Sequence, residues 1–346
     1  MKIAFCHHYS MSFGAGGERL LVQLANRLSN DGFDIEIYSL PVGKRDKEQP
    51  LVDGIKYQEK WFHYIDADIA NFLYAPFVEK FFKFKKKIPK IASIHGYPLI
   101  PELQHNTIKD ISLYERLKKT GIIRSWTWWY TEHFRGFKGY EAIHVINPAM
   151  TDIFNKYKKT YTIPNWTNTK LFHPKGEKFE KFTVLFAGRN DWVKGIDIFE
   201  DIYRLGKKKN CEIEFWCTTD RNECSRQLGF VDDSKLIEIY SRVHLLVYPT
   251  RIDTFGNVIT EALSCGTPVL SSGLPVHRAM KLPLLYANNA KEFLDKIIYI
   301  KDLWQNNRKE YDKLCKLGRE QVVERFEFDR IYPTFVDMFQ EVVQQK

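Results

Sequence analysis

The stretch RIDTFGNVITEALSCGTPVLSS, residues 251–272, decides the fold because a helix signal in it runs directly into a strand signal. Gly266 and Pro268 end the predicted helix, and PVLSS begins a buried strand. The helix is predicted from apolar residues at helical spacing, which are Phe255, Val258, Ile259, Ala262 and Leu263. A helix that leads straight into a buried strand is typical of a parallel α/β sheet.

Two acids flank this predicted helix. Asp253 precedes the first turn, and Glu261 lies about 130° around the helix from the apolar stripe at ~100° per residue. Gly256 and Asn257 occupy the first turn, where unpaired main-chain amides and the helix dipole favour an anion. The element therefore suits a ligand that combines a diphosphate with the hydroxyl groups of a ribose and a sugar.

The same order of strand, turn and helix occurs in both halves of the 346-residue chain. KIAFC (2–6) leads to GAGG (14–17) and an amphipathic helix, and FTVLFAG (182–188) leads to RNDWVKG and a second helix. We therefore predict an α/β protein with two Rossmann-like domains that face each other across a cleft. The predicted bounds are 1–165 and 166–328, with a hinge within 163–176 and a C-terminal helix at 329–346 that packs back on the first domain.

The composition is that of a globular protein, with 44% hydrophobic and 27% charged residues. No apolar run reaches the roughly 18 to 20 residues that span a bilayer, and MKIAFCHHYS lacks the apolar core of a signal peptide, so we expect a cytoplasmic protein. Residues 1–170 carry 25 Lys and Arg against 17 Asp and Glu, which accounts for most of the net charge of +9. This bias predicts an anionic partner for the first half.

Four segments resemble the retaining GT-B glycosyltransferases, specifically family 4. DTFGNVITEALSCGTPV follows the family pattern E-x-F-G-x-x-x-x-E-A-x-x-x-G-x-P-V, and GRNDWVKG (188–195) matches its Gly-Arg, five-residue step, Lys-Gly turn. GAGGERLLVQLANRL resembles its first glycine turn, and GFVDDSKLIEIYSRVHLLVYPT its nucleotide-side helix and strand. Two departures are Asp253, where the family usually has Glu, and a hinge, IPNWTNTKLFHP, that matches only in part.

The resemblance implies a role for each candidate residue of the donor site. Arg189 and Lys194 would bind the donor diphosphate, with charge-assisted bonds of ~1.5 to 3 kcal/mol each. Glu261 would accept from the ribose hydroxyls, Asp253 would contact the donor sugar, and Val231 would hold the base through its main chain. The remaining members of the implied nucleotide-binding set are Gly16, Gly17, Phe255, Gly256 and Asn257.

The resemblance also implies retention of configuration by front-face attack, in which a leaving-group oxygen takes the proton of the acceptor. Catalysis would then rest on charge stabilisation and alignment by Asp253, His95, Arg189 and Lys194. No DxD-like acidic pair stands at a strand end and the six cysteines form no CxxC pair, so we predict no metal ion and no cofactor beyond the nucleotide-diphosphate sugar donor. Because the side chain of Asp253 is shorter than that of Glu by one methylene, the identity of the donor sugar and the catalytic rate are not predicted.

Basic and aromatic residues alternate in two segments of the first half, FLYAPFVEKFFKFKKKIPK (72–90) and GIIRSWTWWYTEHFRGFKG (121–139). Such mixtures suit an anionic membrane surface. We therefore predict a glycan or lipid-linked acceptor and peripheral contact with an anionic membrane. A solvated basic helix over an ordinary aromatic core is an equally weighted alternative.

Parts of the sequence also resemble those of three other kinds of protein. A nicotinamide dehydrogenase is disfavoured because Arg19 stands where the third glycine of GxGxxG belongs. A basic nucleic-acid-binding protein would leave Arg189, Lys194 and Glu261 unexplained, so we expect no nucleic-acid partner. A degenerate transferase that binds a nucleotide sugar without transferring it stays open because of Asp253.

Overall fold

The computed structural model describes residues 1–13, 16–43, 55–73, 75, 78–96, 136–220, 222–229 and 231–345. These residues form two compact units, the first from residues 1–96, 136–165 and 331–345 and the second from residues 166–330. Residues 121–135 of the second basic aromatic segment lie outside the described part, as do positions 74, 76 and 77 of the first. No helix in the described ranges is long and apolar enough to cross a membrane.

In its described residues the first unit has a seven-stranded parallel sheet of order β3-β2-β1-β5-β7-β8-β9 and a separate parallel pair, β4 and β6. The strands are β1 (Lys2–His7), β2 (Asp34–Ser39), β3 (Lys56–Glu59), β4 (His63–Ile65), β5 (Ile69–Leu73), β6 (Phe82–Phe84), β7 (Lys90–Ile94), β8 (Ala142–Val145) and β9 (Thr160–Thr162). Two described helices are α1 (Gly16–Asn30) and α2 (Thr151–Asn155).

Helix α1 forms where the sequence predicts a helix after the first strand. Its residues Leu20, Leu24 and Leu28 recur every fourth position and are buried, so one stripe of the helix packs inward. Full burial of one such side chain stabilises the fold by about 1.5–3 kcal/mol. The helix ends at Asn30, and Gly32 then adopts a left-handed φ of 88° that turns the chain into β2.

The second unit has a six-stranded, all-parallel sheet of order β12-β11-β10-β13-β14-β15. The strands are β10 (Thr183–Phe186), β11 (Glu214–Cys217), β12 (Arg226–Gln227), β13 (Leu245–Tyr248), β14 (Val269–Ser272) and β15 (Leu285–Ala287). The helices are α3 (Ile196–Lys208), α4 (Asp233–Arg242), α5 (Asn257–Ser264), α6 (Pro275–Ala279), α7 (Ala290–Asn306) and α8 (Arg308–Phe326). In chain order the strands run 3-2-1-4-5-6, the order of a Rossmann sheet, which confirms the predicted fold class.

Helices cover both faces of this second sheet. Val184 and Phe186 of β10 pack with Phe199 of α3 and Ile297 of α7 in one continuous apolar core. Helix α5 packs with α4 and with α8, and it contacts β13 and β14. Because helices cover these strands on both faces, every residue of β10 and β13 is buried.

The last helix, α9 (Phe328–Gln344), belongs to the first unit from residue 331 onward. The ring of Phe339 lies 6.0 Å from that of Phe5 in β1, and Phe335 lies 5.2 Å from His144 in β8. These edge-to-face contacts pack the C-terminal helix against β1 and β8 of the first unit.

Candidate functional site

The candidate site lies where the strand order of the second sheet reverses. Strands β10 and β13 are neighbours, and the helices that follow them leave in opposite directions along the sheet. In sheets of this type, ligands bind beyond the carboxyl ends of the strands at such a reversal. The two segments that start there are residues 187–195 after β10 and residues 249–256 after β13.

The two segments approach each other so closely that one position requires glycine. Gly195 has a left-handed φ of 76°, and a Cβ at this residue would lie 2.1 Å from the carbonyl oxygen of Pro249. The amide of Arg251 donates to the carbonyl of Val193 at 2.8 Å, which joins the segments through their main chains. The predicted Lys-Gly turn is therefore fixed against the loop that carries Asp253.

Arg251 clamps the same turn with its side chain. Its Nη1 and Nη2 atoms donate to the two carboxylate oxygens of Asp197 at 2.7 Å each, and Nη1 also donates to the carbonyl of Trp192 at 2.7 Å. The guanidinium carbon lies 4.6 Å from the centre of a ring of Trp192. A planar fork with five donors can make these bonds and stack at the same time, which an ammonium cannot.

The clamped turn presents Lys194 to the end of β13. Asp191 caps the turn by accepting from the amide of Lys194 at 2.8 Å. The Lys194 ammonium donates to the hydroxyl of Tyr248 at 2.7 Å and lies 3.6 Å from the carboxylate of Asp253. A partly buried cation is thus held in place by a phenol and an acid.

Asp253 receives hydrogen bonds on both carboxylate oxygens. Tyr248 donates to Oδ2 at 2.6 Å, the amide of Thr254 donates to Oδ1 at 2.9 Å, and the ring of His277 lies 3.5 Å from Oδ2. Burial would raise the pKa of this carboxyl, but the charge of Lys194 and the hydrogen bonds from His277 and Tyr248 hold its pKa well below the ordinary value. Burial and the Asp253 charge raise the pKa of Tyr248 well above its ordinary value. Asp253 is therefore ionised and Tyr248 neutral throughout the physiological range.

His277 is placed beside Asp253 by the next strand. Its Nδ1 atom lies 2.7 Å from the hydroxyl of Ser271 and 3.1 Å from the carbonyl of Ser272, both at the end of β14. Three strand ends, those of β10, β13 and β14, thus converge on one buried carboxylate.

Gly256 starts helix α5 directly beside this acid. It has a left-handed φ of 88°, and a Cβ here would lie 2.9 Å from Ile259, 3.2 Å from Asp253 and 3.4 Å from His277. Asn257 is the first residue of the helix, so the start of the helix lies next to Asp253, which is 3.6 Å from the Lys194 ammonium. Phe255 is buried and packs against Phe326 at 5.7 Å, which anchors the turn in the core.

The other predicted residues of the second unit lie around this cluster or at the surface. Glu261 is buried in the second turn of α5. Val231 is partly buried and precedes Asp232, the amino-terminal cap of α4. Arg189 follows β10 with its side chain 71% exposed, and its Nε atom donates to Asp191 at 2.8 Å.

Three predicted residues belong to the first unit. Gly16 and Gly17 form the first turn of α1, and within the described residues a Cβ on Gly17 would meet no atom within 4 Å apart from its chain neighbours and the helix's own backbone. His95 follows the carboxyl end of β7. Burial and the neighbouring His144 lower the pKa of His95 well below its ordinary value, so its ring is neutral at physiological pH.

Sequence reasoning missed Tyr248, His277 and the pair formed by Arg251 and Asp197. A signal existed for Tyr248, since it is the polar-tipped last residue of a buried strand directly before Pro249. His277 follows β14 by five residues, a weaker signal of the same kind. Among the described residues, no group of three or more His, Cys, Asp and Glu side chains is arranged to hold a metal ion.

Residues 181–302 match the family model described as glycosyl transferases group 1. The alpha-galactosylglucosyldiacylglycerol synthase of Streptococcus pneumoniae is 24% identical in an alignment 253 residues long that covers 62% of this chain and 63% of that protein. The chain thus spans less than two thirds of the length of the curated relatives that it matches.

Two solved structures show the same fold. A glycosyltransferase from Rickettsia africae superposes with a TM-score of 0.73 at 14% identity, covering 100% of this chain and 99% of that one. The HepE protein of Anabaena, solved in complex with UDP-glucose, superposes with a TM-score of 0.69 at 13% identity over 99% and 100%. Residues 181–302 therefore form a segment of the glycosyl transferases group 1 family, and the chain as a whole has the fold of the GT-B glycosyltransferases.

Proposed function

We propose that the protein is a retaining glycosyltransferase of family 4, which moves a hexose from a nucleotide-diphosphate sugar to a glycan or a lipid-linked acceptor. The observation that carries this proposal is the Lys194 ammonium, held by Tyr248 and Asp253 beside the first turn of α5. A fixed cation next to the first turn of a helix, whose dipole favours negative charge, is an arrangement that binds a diphosphate.

The leaving diphosphate would be stabilised by three groups. Lys194 supplies a point charge, Arg189 supplies a guanidinium that meets the ligand from solvent, and the amides at Gly256 and Asn257 supply dipoles. Because Lys194 is already held in place, little reorganisation is needed when charge develops on the leaving group. In a partly buried site such contacts contribute about 1.5–3 kcal/mol each.

The ribose, the base and the sugar of the donor would contact residues around Lys194 and Asp253. We assign the ribose hydroxyls to Glu261, the base to the main chain of Val231 and the sugar to the side of Asp253. Both oxygens of Asp253 already accept protein hydrogen bonds, so its larger effect falls on the position of Lys194. His95, Gly16 and Gly17 are the first-unit candidates for the sugar and the phosphates.

Retention would follow from front-face attack, in which the acceptor oxygen forms the new bond on the face from which the diphosphate departs. The proton of the acceptor hydroxyl passes to an oxygen of the leaving diphosphate, so no side-chain base takes part. We propose that the reaction needs no metal ion, because Lys194 and Arg189 neutralise the diphosphate.

The acceptor class is supported by charge and by one relative. The first half carries most of the positive charge, and the S. pneumoniae relative is by its name a synthase of a glycosylated diacylglycerol. We therefore propose an acceptor at an anionic membrane surface, which a protein confined to the cytoplasm would contact peripherally. Nucleic acid is not a partner in this proposal.

A donor panel tests the proposal. Melting temperatures would be measured with UDP-, GDP-, ADP- and dTDP-sugars in the presence of EDTA, because a ligand at about 100 times its Kd stabilises the fold by about 2.7 kcal/mol. We expect one nucleotide class to raise the melting temperature and Lys194→Ala to abolish the shift. Lys209→Ala, an exposed lysine 3.5 Å from Asp295, is the matched control. No shift with any nucleotide sugar in the wild-type protein would overturn the proposal.

Transfer is tested separately from binding. With the donor identified, the released nucleoside diphosphate and the anomeric configuration of the product would be followed by NMR, with and without EDTA. An inverted product contradicts retention, and a strict need for Mg²⁺ or Mn²⁺ contradicts metal independence. Donor binding without transfer to any glycan or lipid acceptor would favour the degenerate transferase.

A further inference from the structure

Three neighbouring aromatic side chains of the first unit are directed into solvent. Trp61, Phe62 and Tyr64 are 52%, 68% and 66% exposed. Trp61 and Phe62 come directly after the carboxyl end of β3, and Tyr64 is the middle residue of β4. Clustered exposed rings of this size on a folded protein typically mark a surface that contacts another phase or molecule.

The structure around the rings holds them outward. In β4 the side chains alternate, so His63 and Ile65 are buried while Tyr64 points to solvent. His63 is fixed by a 2.9 Å contact between its Nε2 atom and the carbonyl of Ser39. Phe81 lies 6.2 Å from Trp61 and 5.7 Å from Phe62, which supports both rings from below. Turning the Tyr64 ring inward would therefore require β4 to slip by one residue.

Lysines surround the rings. Lys60 precedes Trp61, Lys83 pairs with Tyr64 in register across β4 and β6, and Lys80 precedes Phe81; all three are exposed. Two further exposed lysines of the same segment are Lys85, which lies 3.5 Å from Asp66, and Lys86, which lies 3.1 Å from Asp68. The charge next to the rings is thus positive, and it complements an anionic surface.

We propose that this aromatic-basic surface, formed by Trp61, Phe62 and Tyr64 with Lys60, Lys80 and Lys83, docks on a lipid bilayer that contains anionic headgroups. The rings lie at the headgroup level, where Trp and Tyr are favoured, and the ammonium groups meet the lipid phosphates. The inference rests on the peripheral membrane contact proposed above and assigns residues to it. A bilayer at this surface would lie beside the carboxyl end of β3. Parallel sheets bind their ligands at the carboxyl ends of their strands, so a lipid-linked acceptor would reach the first unit there.

Co-sedimentation of the full chain with vesicles tests the inference. The probes are vesicles of equal parts phosphatidylglycerol and phosphatidylcholine, and vesicles of phosphatidylcholine alone. We expect binding to the anionic vesicles only, with a loss at about 0.5 M NaCl, where the Debye length is only a few ångströms. Trp61→Ser/Phe62→Ser/Tyr64→Ser should weaken partitioning at least tenfold. Lys60→Ser/Lys80→Ser/Lys83→Ser should weaken it about a hundredfold, at about fivefold per lysine.

The control removes exposed apolar side chains from the second unit, at Ile298, Tyr299 and Leu317. Ile298→Ser/Tyr299→Ser/Leu317→Ser should bind the vesicles as the wild type does, and circular dichroism should show that all variants are folded. Equal vesicle binding by the aromatic variant and the wild type overturns the inference, as does equal binding to neutral vesicles. A wild-type dimer in sedimentation velocity that the aromatic variant loses would show that a second copy covers the surface instead. Donor-induced thermal shifts, measured on the same variants, report on the proposed transferase site independently.

Discussion

The Tyr248 hydroxyl bridges the two opposite charges of the candidate site, so its removal tests how that site is built. Tyr248→Phe deletes one oxygen atom from a buried ring and leaves the volume nearly unchanged. The hydroxyl accepts from Lys194 at 2.7 Å and donates to Asp253 at 2.6 Å. The direct contact of 3.6 Å between these two groups remains, so part of their attraction is retained.

The expected cost follows from the two lost bonds. A hydrogen bond to a charged group contributes about 1.5–3 kcal/mol, and because the direct ion pair remains we expect a total loss within that same range. For a unit of this size, 1 kcal/mol shifts the melting temperature by roughly 2–4 °C, so the variant should melt about 3–12 °C lower. Lys194 also loses the acceptor that directs it, and we expect the Kd for a nucleoside diphosphate to rise about tenfold.

Both quantities would be measured on the same preparations, by thermal melting and by isothermal titration with the nucleotide that the donor panel identifies. Tyr203→Phe is the matched control, because the Tyr203 ring packs on Phe215 at 5.7 Å in the same unit but away from the site. The reasoning is refuted if Tyr248→Phe melts within about 1 °C of the wild type and binds nucleotide equally well. A loss of stability without a change in affinity would show that the phenol supports the fold and does not position Lys194.

Three further predictions concern the loops and the core of the second unit. Arg251→Lys keeps the positive charge but removes the paired bonds to Asp197 and the stacking on Trp192. The free energy of unfolding in denaturant should therefore fall by about 2 kcal/mol, and nucleotide binding in titrations should weaken. Unchanged values of both would contradict the role given to Arg251. Gly256→Ala brings a methyl group against Asp253 at a left-handed φ and should cost about 1–3 kcal/mol in the same unfolding assay, and a neutral result would be incompatible with the geometry of the turn. Burial, together with nearby positive charges, lowers the pKa of His244 to about 3, so the unfolded chain takes up this proton first and stability falls as the pH drops from about 6 toward 4. His244→Asn should remove about 1.4 kcal/mol per pH unit from that slope in urea unfolding, and an equal slope in the two proteins would refute the assignment.

Local patterns were sufficient to predict the strands and helices of the second unit that carry the candidate site. Helix α5 begins at Asn257 and β14 at Val269, as the spacing of apolar residues and the pair Gly266 and Pro268 predict. Both signals depend only on residues a few positions apart, since helical and strand periods are local properties of a chain. The parallel order of the strands then follows from the alternation of strands and helices.

The contacts of the site could not be predicted in the same way, because they join residues far apart in the sequence. Arg251 and Asp197 are 54 positions apart, as are Lys194 and Tyr248, and His277 is 24 positions from Asp253. Each pair meets only because β10, β13 and β14 lie side by side in the folded sheet. No local pattern therefore marks Arg251, although it joins the loop after β13 to the turn after β10.

The replacement of Glu by Asp at position 253 illustrates the same limit. From the sequence alone, a shorter acid predicts a carboxylate that fails to reach the sugar. In the folded unit the space beside that carboxylate is filled by Tyr248 and by the close approach of Gly256, so a longer stem would meet occupied volume. A return to Glu would therefore overpack the pocket at a cost of about 1–3 kcal/mol or force the carboxylate away from Lys194. It follows that the acid at position 253 and the phenol at position 248 must be varied together, because the ammonium of Lys194 is positioned by both.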